Sequence, residues 1–354
     1  MGTQELQQQA RKIIQYTVAF FGLVVIVCLL LSLALGQGAM QLAPNRVAGI
    51  VWAKLSGNSQ QLAAFRPNEI AVVWDIRLPR ILCSFFVGVG LAVAGAIFQS
   101  LLRNPLADPY TLGVSTGAAF GASVAIYLNI SFAILLPVSL FAVLFAFLTL
   151  AVVIAVAQKS GGLYSSSLVI SGIIASSFLS AGISVIKMLA GENVSAIVFW
   201  LMGSFSARGW QDVLLVAPVV IVCGALAWFF ADDLDIMTLG DAAATALGIS
   251  TASTRLGYLI LASTITACCV SVSGVIGFVG LVVPHLLRMH TGGGNRVLLP
   301  FSGLLGGILL ALADTATRLL SGSEIPVGAL TTLLGGPFFI YVFLRGSKGG
   351  GGSA

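Results

Sequence analysis

"AGAIFQSLLRNPLADPYTLGVSTGA" occupies Ala94–Ala118 and sets the frame for the rest of the chain. Its first residues close one long apolar run and its last residues open another. Between them, Arg103, Asn104, Pro105, Asp108 and Pro109 crowd into one short polar stretch. Asn104 precedes a proline and is pushed out of the α region, which ends the first run as a helix. Asp108 followed by Pro109 suits an N-cap and the first helical position of the second run. The stretch reads as helix, tight polar turn, helix.

Apolar runs of this kind recur along all 354 residues, of which 58% are hydrophobic and only 8% charged. A soluble domain of this size cannot bury so much apolar surface, so the chain is an all-α polytopic membrane protein. A barrel is excluded because its strict alternation is missing. Helices satisfy their own backbone groups in lipid, and about 20 apolar residues suffice to cross it. Ten spans are expected, at 14–36, 80–102, 108–128, 131–157, 165–190, 211–230, 254–272, 274–290, 297–319 and 326–345. Together, 1–345 form a single transmembrane domain. Gly346–Ala354, "GSKGGGGSA", reads as an added flexible linker. The first span is too long for a cleaved signal peptide and is retained. The five cysteines all fall inside apolar runs and read as small core residues.

Arg11 and Lys12 before the first span place the N-terminus inside, and ten spans return the C-terminus to the same side. On that topology Lys and Arg divide nine inside to eight outside, so the outer face carries more positive charge than orientation requires. The longest segment outside the spans, 37–79, contains "NRVAGIVWAKLSG", an amphipathic helix suited to an interface. "SAIVFWLMGSF" (195–205) is too short to span. "AGAIFQSLLRNPLADP" and "SGVIGFVGLVVPHLLR" share a polar and proline pattern, which points to a duplicated five-helix unit.

Several chemistries lack their residues. "GVSTG" (113–117) matches a nucleophile elbow, but it opens a membrane helix instead of joining strand to helix. An intramembrane hydrolase using Ser115 is therefore a distant alternative. His285 and His290 lie outside any zinc-protease pattern. None of the five lysines follows a glycine, so no phosphate-binding P-loop is present. The spans hold almost no ionisable residues at membrane depth, which argues against an ion-coupled secondary transporter, the main rival reading. What remains is a helical membrane body with no internal energy source, either a channel or a permease driven by another subunit.

Six ordered stretches identify the likeness: "RLPRIL" (77–82), the opening stretch, "LGDAAATALGIS" (239–250), "GFVGLVVPHLLR" (277–288), "LADTATRL" (312–319) and "EIPVGALTTLLGGPFF" (324–339). With these, the chain resembles the FecCD family, the permease subunits of type II ABC importers for iron siderophores, haem and vitamin B12. The resemblance implies a ten-helix permease of the bacterial cytoplasmic membrane that works by alternating access. Its partners would be a second permease chain, two ATPase subunits that bind the ATP and Mg, and a periplasmic or lipoprotein substrate-binding protein. The chain itself would hold no cofactor or metal, catalyse no reaction and bind no nucleic acid. Ferric siderophore is the first substrate choice, then haem or cobalamin.

The resemblance also assigns roles. In the inner segment 236–252, Gly240, Asp241, Ala242, Ala243, Leu247 and Gly248 match the helix that couples to the ATPase. From the residues alone, Asp241 reads as the cap of that helix. Arg77, Arg80 and Arg318 match the outer arginines that receive acidic residues of the binding protein, with Asp75 and Asp314 near enough to orient them. In "GGLYSSSLVISG" (161–172), Ser165 and Ser166 match the inner gate, and spans five, eight and ten would line the path. The turn Arg103, Asn104, Pro105 and Asp108 would pack at its inner end.

Overall fold

The computed structural model describes residues 3–37, 40–292, 294–320 and 325–349, and every regular element among them is helical. The ten apolar segments form α1 (Thr3–Gly36), α2 (Leu78–Leu101), α3 (Val114–Phe132), α4 (Val138–Lys159), α5 (Ser165–Ala190), α6 (Trp210–Phe229), α7 (Thr251–Ser273), α8 (Val279–Thr291), α9 (Asn295–Leu320) and α10 (Val327–Gly349). Eight of them, α1–α7 and α9, carry stretches long and apolar enough to cross a membrane. The apolar parts of α8 and α10, Val279–Met289 and Val327–Pro337, are shorter. Glu324, the tail from Gly350, and the side chains of Arg11, Lys12, His290, Arg345 and Lys348 lie outside the described residues.

α2 is the central post, buried along most of its length and packed against α6, α7, α8 and α9. Gly88 and Gly95 lie seven residues apart, hence on one face of the helix. A Cβ on Gly88 would overlap the Gly306 carbonyl of α9, and one on Gly95 would overlap the Gly280 carbonyl of α8. Without side chains at these points the backbones touch, which is how helices gain packing energy where lipid offers no hydrophobic drive.

Short helices mark the two ends. Pro44–Leu55, Ser59–Leu62 and Pro67–Ile70 lie before α2, and a π-helical turn, Ala71–Arg77, leads into it. The expected amphipathic helix is the first of these: Val47, Ile50 and Ala53 face inward, while Trp52 and Leu55 are exposed. Val194–Leu201, the segment too short to span, follows α5 at the same end. At the other end, Ala231–Thr238 and Asp241–Ala246 connect α6 to α7.

Three expected boundaries move. α3 begins at Val114, not at 108, because Gly113 takes φ 75° and turns the chain into the helix there. α8 begins at Val279, not at 274, after a non-helical break in which Gly274 and Phe278 have φ of 71° and 69°. α4 begins at Val138, not at 131, since the Asn129 side chain is hydrogen bonded to the backbone N–H and carbonyl of Leu136 and holds a loop.

Candidate functional site

The polar turn after α2 is built by its own side chains. Asn104 Oδ1 accepts from the Leu106 N–H at 2.9 Å. Asp108 Oδ1 accepts from the Tyr110 N–H at 3.0 Å and from Thr111 Oγ1 at 2.8 Å, while Thr111 Oγ1 accepts from the Asp108 N–H at 2.9 Å. Asp108 is thus not the cap of α3. Its short acceptor closes an Asx turn, the local alternative to helix that Asn and Asp favour. Tyr110 donates its hydroxyl to the Ile276 carbonyl, pinning this turn to the α7–α8 break. Arg103 holds φ 49°, an uncommon conformation for a residue with a side chain.

That guanidinium reaches the second short segment. A Cβ on Gly240 would sit 3.0 Å from Arg103 Nη1. Gly240 has φ 105° and is the N-cap of Asp241–Ala246. Asp241 is therefore the first helical residue and not the cap. Its carboxylate turns to α7, where Arg255 Nη2 donates to Oδ1 at 2.6 Å and Nη1 to Oδ2 at 3.2 Å. The hydrogen bond from Arg255 holds the Asp241 carboxyl below the ordinary carboxylate range, against some opposing desolvation, and Arg103 adds to the effect. Such a two-pronged pair fixes orientation as well as position.

The clamp leaves one face bare. Ala242, Ala243, Leu247 and Gly248 are exposed, and Leu239 and Leu247, 65% and 60% exposed, bracket the helix with unpartnered apolar side chains. Alongside lies a cleft of roughly 590 Å³ lined by Leu163, Tyr164, Asp241, Ala242, Thr245 and Arg255 among others. Tyr164, not a serine, is the N-cap of α5. Ser165 follows it with a buried Oγ that finds no hydrogen-bond partner among the described residues, and Ser166 is exposed. The structure thus gathers Arg103, Gly240, Asp241 and the start of α5 at one end of the bundle.

The three arginines at the opposite end are placed differently from an open docking rim. Arg77 is buried and donates to the Leu35 and Met40 carbonyls at 2.9 and 2.6 Å, tying the chain after α1 to α2. Arg80 is buried against Asp314, to which Nε donates at 3.1 Å and Nη2 at 2.9 Å. Arg318 Nε lies 3.6 Å from the same carboxylate, and its Nη2 donates to Thr315 Oγ1 at 3.0 Å. Asp314 is fully buried between the two guanidinia and orients both, whereas Asp75 is exposed. In this conformation Arg77 and Arg80 staple helices together, and Arg46 and Arg66 are the exposed cations of that end.

Sequence reasoning passed over several residues of these ends. Arg255 carries no local sequence signal that pairs it with Asp241. Glu69 is 4% exposed, accepts from Arg46 Nη1 at 3.0 Å and from the Arg66 N–H at 3.2 Å. Its pattern, a Glu three positions after the residue before a proline, matches the acidic half of a capping box and was available from the sequence.

Apolar side chains are exposed along α1, α4 and α6, and also on α5 and α10. α5 exposes Ile170, Ile173, Ile174, Phe178, Val185, Met188 and Leu189, and α10 exposes Leu333, Leu334 and Ile340. A cavity of roughly 550 Å³ opens beside α10, lined by Asp108, Tyr110, Gly277, Phe278, Leu281 and Thr332 among others. α8 and α10 line this cavity through Leu281 and Thr332.

The model of the FecCD transport family matches residues 23–345. The uncharacterized ABC transporter permease YvrB of Bacillus subtilis is 39% identical over 322 residues, covering 90% of this chain and 91% of YvrB. The molybdate import system permease MolB of Haemophilus influenzae is 34% identical over 337 residues, covering 95% of this chain and 98% of MolB. A solved inward-facing structure of a metal-chelate type ABC transporter superposes with TM-score 0.81 at 33% identity, over 93% of this chain and 99% of that one. With the family model matched from residue 23 to residue 345 and relatives at 34–39% identity along most of its length, the chain belongs to the FecCD transport family.

Proposed function

We propose that this chain is the membrane-crossing subunit of an ATP-driven importer, and that the Asp241–Ala246 helix is where its ATPase grips. The carrying observation is the combination of exposure and anchoring. Leu239 and Leu247 face outward with nothing covering them, while Arg255 locks the same helix to α7 and Arg103 reaches it from the turn after α2. A surface that is apolar and firmly held suits a partner that pushes on it. On this reading that end faces the cytoplasm, both chain termini lie there, the exposed Ala242, Ala243 and Gly248 give the partner close approach, and the buried Gly240 sets the start of the coupling helix. ATP and Mg bind in the ATPase, and this subunit makes and breaks no bonds.

The uncovered faces of α5 and α10 suit a second permease chain, with the path between the two copies and Ser165 and Ser166 at its inner mouth. The binding protein docks at the opposite end, over the Arg80–Asp314–Arg318 cluster and the exposed Arg46 and Arg66. Since one carboxylate is shared by Arg80 and Arg318, that cluster keeps an excess of positive charge for acidic partner residues. The cargo is a metal chelate, in agreement with the metal-chelate type transporter of the same fold. Ferric siderophore comes first, then haem or cobalamin. Molybdate, the named cargo of MolB, is the competing class.

Leu247→Asp tests the grip. It is expected to abolish co-purification of the ATPase subunits while the permease still accumulates in the membrane. Retention of the ATPase at wild-type stoichiometry would sink the assignment.

A further inference from the structure

The end of α6 and the Ala231–Thr238 helix that follows it are tied to the start of α9 by three contacts. Trp228 donates its indole N–H to the Arg296 carbonyl at 2.9 Å. Arg296 pairs with Asp232 at 3.2 Å, with both side chains more than half exposed. Deeper in, Asp235 accepts from the Asn295 N–H at 2.9 Å and from its side-chain amide at 2.5 Å.

Asn295 is fully buried, and its contacts continue inward. Its amide oxygen accepts from Ser100 Oγ at 2.8 Å, and Ser100 Oγ accepts from Arg288 Nη2 at 2.9 Å. The Asn295 side chain therefore joins the Ala231–Thr238 helix, α9 and the last turn of α2, and Ser100 extends the chain of contacts to α8. Ser100 lies three residues before Arg103, where the polar turn begins. The exposed Asp232–Arg296 pair contributes little in water. The buried arm is charge-assisted and shielded, so it resists rearrangement.

We infer that Asn295 is a positioning residue that carries displacement of the coupling segment to the turn after α2 and to α8. This rests on the Asp241–Ala246 helix being the ATPase contact. The route is separate from the direct approach of Arg103 to Gly240. It makes the segment 231–246 move as one body with the inner ends of α2, α8 and α9, so a push on Leu247 reaches Leu106 without a break in the chain of contacts.

The importer is reconstituted in vesicles with its ATPase subunits and labelled with a membrane-impermeant maleimide, with the unsubstituted chain as background. Ala242→Cys reports on the ATPase contact and Leu106→Cys on the turn, each compared without nucleotide and with ATP plus vanadate. Asp235→Asn and Asn295→Asp each remove one complementary half of the pair, and the double exchange restores an amide facing a carboxylate. Each single variant is expected to cut the nucleotide-dependent change at Leu106→Cys by about tenfold, the scale of a lost buried charged hydrogen bond, while Ala242→Cys stays protected. The double variant is expected to recover to within about threefold of wild type. Where a single variant fails to accumulate, Ser100→Ala is read in its place, since it cuts the arm beyond Asn295, to α2 and through Ser100 to α8, and leaves the Asp235–Asn295 pair intact; it is expected to show the same loss. Wild-type responses at Leu106→Cys in these variants, or a double variant as defective as its parents, would overturn the inference. Failure of the underlying reading looks different: Ala242→Cys would then label equally with and without the ATPase in the otherwise unmodified chain.

Discussion

Arg255 on α7, fourteen positions after Asp241, closes on it at 2.6 Å, and that pair fixes the only bare-faced short helix between α6 and α7 among the described residues. The arginine side chain is 4% exposed and the aspartate 27%, so the pair sits at the edge of the protein with its cation inside. Removing the acid strands a buried charge, whereas removing the base releases the helix.

Asp241→Asn is expected to lower stability by about 1.5–3 kcal/mol, the range for a hydrogen bond to a charged group. Arg255→Lys is expected to recover little, because an ammonium cannot reproduce the two-pronged contact. Thermal unfolding of the purified protein reads both.

The same pair carries a pH signature. The Asp241 carboxyl is held below its ordinary range, chiefly by the Arg255 hydrogen bond. Its stabilisation is therefore fully present above the unfolded-state value of about 4 and lost as pH falls through the depressed folded value. The difference in melting temperature between wild type and Asp241→Asn is expected to hold steady at neutral and mildly acidic pH. Below about pH 4 it is expected to shrink. A difference that shrinks already around neutrality would contradict the assigned ion pair.

Gly95→Ala is expected to separate α2 from α8, since its Cβ would overlap the Gly280 carbonyl. Overpacking of this kind costs about 1–3 kcal/mol. Gly224 in α6 is the matched control: nothing lies within 4 Å of a Cβ placed there. Gly224→Ala is expected to be neutral or to stabilise by up to about 1 kcal/mol. Membrane accumulation and melting temperature compare the two.

Asp314→Ala leaves the buried Arg80 guanidinium without its carboxylate. Breaking a buried pair this way costs about 3–5 kcal/mol. Loss of folded protein is expected before any selective loss of binding-protein capture, and Asp314→Glu is expected to rescue in part. Arg66→Ala, at an exposed cation of the same end, is expected to leave stability within about 0.5 kcal/mol of wild type.

The spans and the turn after α2 were legible because apolar length and the Asn-Pro and Asp-Pro pairs act locally. The exposed face at Ala242, Ala243 and Leu247 followed from the resemblance. Helix starts at Val114 and Val279 were missed, since Gly113, Gly274 and Phe278 adopt positive φ under tertiary constraint. The fates of the arginines were illegible for a different reason. Arg80 and Asp314 are 234 residues apart, and only the packing of α2 on α9 brings them together. The Asp235–Asn295–Ser100 chain is equally non-local and has no spacing to betray it. The eight outer Lys and Arg could be counted, but whether each faced water or a carboxylate depended on the fold.

Uptake into liposomes tests the central claim most directly. The purified chain is reconstituted with and without its ATPase subunits and binding protein, and a ferric siderophore is offered outside. Accumulation is expected only when ATPase, ATP and Mg are all present. Uphill accumulation by the chain alone, driven by an ion gradient, would contradict the account.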